Sequence, residues 1–163
     1  LAANNLDGAA THLERAVSLC AEAGHRPDEA RWRRELGAQH LARGELGKAR
    51  TELARGLRLA QAHELPRAEA YVLYERAALS LEANYDRVDE ALEEVRRGLE
   101  IAEELDDRGL EAAGMLHLAL VCRAQGKLSR ANELLERASE IVRTTSERQL
   151  ADRIAEVRAE LAV

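Results

Sequence analysis

The chain has 163 residues, 46% of them hydrophobic and 33% charged but only 2% aromatic, with no Phe, 10 Gly, 2 Pro and a formal net charge of -6. Ala, Leu, Arg and Glu dominate, and these residues lose little rotamer freedom in a helix, so the composition points to an all-α protein. The acidic balance argues against direct nucleic-acid binding, and the absence of an apolar run of about 18 residues or of a basic-then-apolar leader argues against a membrane span or a secretion signal.

In chain order, "LDGAATHLERAVSLC" from Leu6 predicts a first helix over about 6–24. Pro27 opens a second, 27–43, at the position where a missing N–H costs nothing, and Asp28 and Glu29 complement its dipole. Gly44 breaks that helix and Leu46 opens a third, 46–63. The junction "GELGKARTEL" superficially suggests a phosphate-binding loop. That loop needs G-x-x-x-x-G-K-[ST] after a strand, whereas Gly44 and Gly47 are three apart, Ala49 follows Lys48, and the preceding "QHLARG" is helical in character. Pro66 opens a fourth helix, 66–84, followed by helices over 87–105, 107–125 and 128–144. Ser146 is the expected N-cap of the last, 147–161.

Four of these helices share one face. Ala9, Leu13 and Ala16 recur as Ala49, Leu53 and Gly56, as Ala91, Val95 and Gly98, and as Ala131, Leu135 and Ala138. The spacing of 3 and 4 sets these residues on one side of a helix, where the small ones let a neighbour approach closely. The leading alanines recur about every 40–42 residues, a period that signals stacked repeats.

Helix pairs carrying A-x3-[LV]-x2-[AG] on the second helix resemble the tetratricopeptide (TPR) repeat family. The preceding helices match more loosely, through Leu36, Gly37 and His40 and through Leu118, Ala119 and Cys122, while Trp32 lies one place off the family's Trp. The period, longer than the usual 34 or so, is similar to that of the long TPR variety in bacterial signalling ATPases and transcription activators. The resemblance implies an all-α solenoid forming a single domain over 1–163: a partial repeat at 1–25, repeats at 26–65, 66–106 and 107–145, and a cap at 146–163. The chain starts with Leu1, and it is expected to be a cytoplasmic fragment of a larger protein that opens inside a repeat.

No catalytic constellation stands out. His12, His25, His40, His63 and His117 show no metal-ligand spacing, Cys20 and Cys122 read as small apolar packers without a disulfide, and no nucleophile motif is present. Neither an enzyme nor a bound cofactor or metal is expected. Function is then expected from a surface.

By the resemblance, first helices line a concave groove, with Arg31, Arg34, Ala38 and Leu41, then Val72, Glu75, Leu79 and Glu82, then Leu116, Leu120 and Arg123 facing inward. Such a groove suits a peptide or protein partner, including another domain of the same parent chain. Two alternatives stand beside it: an inducer-sensing domain of a bacterial regulator, and a structural spacer that self-associates through its first repeat. Charge is also uneven, since 26–58 hold nine Arg/Lys against five Asp/Glu, and 82–111 hold four against twelve.

Overall fold

A computed structural model describes residues 2–83, 87–145 and 147–161, with side chains for Gly8 and from Ala10 onward within those ranges. Among the described residues there are eight helices and no strand: α1 Ala2–Ala23, α2 Arg26–Ala42, α3 Leu46–Ala62, α4 Pro66–Ala83, α5 Val88–Glu104, α6 Arg108–Ala124, α7 Leu128–Thr145 and α8 Arg148–Leu161. The N-cap expected at Ser146 and the side chains of Leu6 and Ala9 lie outside the described residues. The first helix starts at Ala2, four residues before the expected start.

One turn chemistry recurs. His25, Glu45, Leu65, Asp107 and Lys127 each donate their backbone N–H to the carbonyl five residues earlier, at 2.9–3.0 Å. This wrap satisfies the last orphan carbonyls of a helix and needs a left-handed residue just before the donor. Gly44, with φ of 70°, is that residue between α2 and α3, so the glycine of the "GELGKA" junction ends a helix and cradles no phosphate. Glu64 and Asp106 take the same conformation at φ of 52° and 51° without being glycine.

Helices pair in sequence, α2 with α3, α4 with α5 and α6 with α7, and each pair stacks on the next through α3 with α4 and α5 with α6. The recurrent face is the interior: Ala49, Leu53, Gly56, Ala91, Val95, Gly98, Ala131, Leu135 and Ala138 are all buried. Leu13 and Ala16 are only half-buried, because α1 packs chiefly on α2. Burying a leucine such as Leu53 contributes about 1.5–3 kcal/mol. The glycines set the approach: a Cβ at Gly37 would meet Leu53 Cγ at 2.7 Å.

Curvature follows from unequal contact between the two rows. Among the first helices, α2 touches α4 and α4 touches α6, whereas no comparable contact joins α1, α3, α5 and α7. The row α2, α4, α6 therefore forms the inner side and the odd-numbered helices the splayed back. α8 closes the far end, with Ile154 and Val157 in the core shared with α6 and α7. Cys122 is buried and Cys20 half-buried, and both are free thiols.

Candidate functional site

On the inner side, the first helices present residues that are neither core nor fully exposed: Arg34, Ala38 and Leu41 on α2, Tyr71, Glu75 and Ala78 on α4, and His117 and Leu120 on α6. They fall 3 or 4 apart along each helix, one inward stripe per helix. Successive stripes touch: Arg34 Nη1 lies 3.5 Å from Glu75 Oε1. His117 stacks on Tyr74 with ring centres 5.3 Å apart, its Nδ1 is 2.9 Å from the Ala113 carbonyl, and burial holds its pKa below the usual imidazole value.

At the end of the stack where α2, α4 and α6 begin, this surface deepens into a cleft of about 870 Å³ that reaches Gln149 of α8. Its walls are apolar at Pro27, Ala30, Leu65, Ala68 and Leu105. Tyr71 stands in the middle, with the Arg34 and Arg67 guanidinium carbons 5.2 and 5.9 Å from its ring centre. Both cations are also tied to carboxylates, Arg34 to Glu35 and Arg67 to Asp107 at 3.2 Å. The hydrogen bond that Arg67 donates to Tyr71, outweighing desolvation, and the charge of Asp107 raise the Arg67 pKa. Asp107 is itself fixed, because its side chain accepts the Leu110 N–H at 3.0 Å as the N-cap of α6. Arg31 differs from its neighbours. Its guanidinium lies 4.8 Å from the Trp32 ring centre, and no carboxylate pairs with it among the described residues.

The expected groove residues divide into those that reach this surface and those that do not. Arg31 and Arg34 line the cleft, and Leu41, Glu75, Glu82 and Leu120 lie along the inner stripe with Leu41 and Leu120 half-buried. Arg123 pairs with Glu160 of α8 at 2.7 Å. Val72, Leu79 and Leu116 do not reach the groove: they are 0%, 5% and 3% exposed. Val72 and Leu79 pack with Leu53, and Leu116 packs with Leu134 and Leu135. α4 and α6 each lie between helices of two repeats, so the apolar positions beside the inward stripe are covered from the flanks. Tyr71, Ala78 and His117, each one residue away, take the inward places. Counting 40 residues from Arg31 lands on Tyr71, and that arithmetic is the signal that locates it.

A second, smaller cavity of about 430 Å³ opens between α5, α6 and α7, flanked by Glu103, Asp106 and Arg137. Among the described residues no three His, Cys, Asp or Glu gather as metal ligands, and no helix is long and apolar enough to cross a membrane.

Antiparallel helix pairs stacked in sequence around small-residue contacts define a TPR-like helical repeat protein. The chain belongs to the family described as the MalT-like TPR region, whose model matches residues 1–163. No curated protein matches it.

Proposed function

We propose that the chain is the partner-receiving module of a larger bacterial regulator, holding a peptide or protein segment along its inner face and acting by binding without catalysis. The observation that carries this reading is the cleft around Tyr71. Rigid helices present an aromatic ring, the apolar side chains of Leu65 and Leu105, and a cation, Arg31, without a carboxylate partner among the described residues. Leu105 is 42% exposed, one of three large hydrophobics left so open among the described residues. A segment with an apolar side chain beside a carboxylate fits that set, because the carboxylate completes Arg31 while the apolar group covers Leu105.

The cleft volume also falls within the range of about 300–1,000 Å³ usual for small-ligand sites, which favours an inducer as the second reading.

Arg31→Glu with Leu105→Asp tests both, since each side chain is exposed and the helical circular-dichroism signal should stay unchanged. Peptides selected from a displayed library on the wild-type chain should bind this variant about tenfold or more weakly, the loss of one charge-assisted bond and one apolar contact. Selected peptides that bind both proteins equally would remove the cleft from the account. A panel of metabolites read by thermal shift separates the second reading, because a native-state binder raises the melting temperature and the same variant should abolish that rise.

A further inference from the structure

The uneven charge of the sequence is resolved by the fold into two neighbouring ridges. On the back of the stack, α3 exposes Lys48, Arg50, Arg55 and Arg58 and no carboxylate. In the next repeat, α5 exposes Asp89, Glu90, Glu93, Glu100, Glu103 and Glu104 against only Arg96 and Arg97. Four net positive charges thus lie beside four net negative ones. The flanking ridges are close to neutral: α1 exposes Glu14, Arg15 and Glu22 among its described side chains, and α7 balances Arg130, Arg137 and Arg143 with Glu133, Glu136 and Glu140.

Pairing within each helix leaves much of this charge unused. Lys48 and Arg55 bond Glu45 and Glu52, while Arg50 and Arg58 have no carboxylate partner among the described residues. On α5, Glu93 and Glu100 bond Arg96 and Arg97, which leaves Asp89, Glu103 and Glu104 surplus. The face opposite the buried stripe of each helix carries Arg58 on α3 and Glu100 on α5. These two residues are 42 apart, one repeat, and so stand at the same height on their ridges.

We propose that this back is a self-association surface on which two copies of the chain meet about a two-fold axis parallel to the helices and passing between α3 and α5. The outward bow of the back limits contact to its two middle ridges, which are α3 and α5. That axis sets α3 of each copy opposite α5 of the other, and Arg58 opposite Glu100 of the second copy, so both halves of the contact join opposite charges. The other in-plane axis, across the helices, would set α3 against α3 and α5 against α5, joining like charges. Exposed ion pairs are individually weak and screened by salt over roughly 10 Å at 0.1 M, so the dimer is a low-salt species that dissolves as salt is raised.

The experiment is sedimentation of the 163-residue chain and two variants, Arg50→Glu/Arg58→Glu and Glu100→Lys/Glu104→Lys, all at exposed positions. The wild type should form dimers at about 50 mM salt and dissociate at least tenfold more readily at about 500 mM. Each variant alone should be monomeric, because the altered ridge falls from four net charges to none and the facing positions 58 and 100 then carry like charges. An equimolar mixture of the two should dimerise, because positions 58 and 100 of the altered ridges again carry opposite charges and the unaltered α5 of one faces the unaltered α3 of the other. A monomeric wild type at low salt, variants that associate as the wild type does, or a mixture that stays monomeric would each overturn the proposal. So would growth into open chains in place of dimers. Retention of duplex DNA or heparin by the α3 ridge, without self-association, would assign that ridge to a polyanion and likewise overturn it.

Discussion

Tyr74 and Gly98 join the two helices of the middle pair: the tyrosine ring lies against the bare Cα of Gly98, where a Cβ would stand 2.9 Å from Cζ. Tyr74 is fully buried, meets Tyr71 edge-on at 6.4 Å, and donates its hydroxyl to the Leu110 carbonyl at 3.3 Å, so one side chain links α4, α5 and α6. A glycine at an exposed site in mid-helix would gain up to about 1 kcal/mol on replacement by alanine. Here the sign reverses. Gly98→Ala should lose about 1–3 kcal/mol by overpacking, measured by urea unfolding. In the Tyr74→Leu background the loss should shrink, since the two residues share one contact.

Leu53 is fully buried between Gly37 and the Val72 and Leu79 cluster. Leu53→Ala should therefore cost about 2–5 kcal/mol, as removal of a buried leucine leaves a cavity that neighbours fill only partly. A loss under about 0.5 kcal/mol in the same unfolding assay would mean that this face is not interior.

Glu94 gives the fold a pH dependence. Its side chain is 11% exposed, Arg76 Nη2 reaches Oε1 at 2.8 Å, and Oε2 is buried with no hydrogen-bond partner among the described residues. Burial outweighs the Arg76 charge and raises its pKa from 4.5 to about 7. A carboxyl raised in the folded state stabilises while it is protonated. The contribution is complete below about pH 4.5 and is lost as pH rises to about 7. The size is on the order of 2–3 kcal/mol. Melting temperatures of wild type and Glu94→Gln between these limits should diverge, with the variant lacking this decline.

The left-handed turn residues predict opposite outcomes at equivalent places. Gly44→Ala should destabilise by about 1–2 kcal/mol, because nothing crowds the site and only the backbone objects. Glu64→Gly should stabilise by about 0.5–1 kcal/mol by relieving the same conformation. Thermal unfolding of the two variants checks both signs.

Composition and period were enough to determine the helices, their order and the buried face, since helix propensity, turn glycines and a 3-and-4 spacing are local properties that survive packing. The A-x3-[LV]-x2-[AG] residues that the structure describes from Ala49 onward are interior. The inward register was not legible to the same precision. Val72, Leu79 and Leu116 look like a groove floor as apolar residues one step from the true stripe, and only the flanking helices show that they are covered. Tyr71 was hidden for the converse reason, because an aromatic residue reads as core until its ring is seen beside Arg34 and Arg67. Likewise, charge totals show an excess of each sign in the chain, but exposure and the placement of α3 and α5 on either side of α4 turn those totals into successive ridges of the back. Local spacing specifies which residues share a helix face, and the packing of neighbouring repeats decides which of those faces water or a partner can reach.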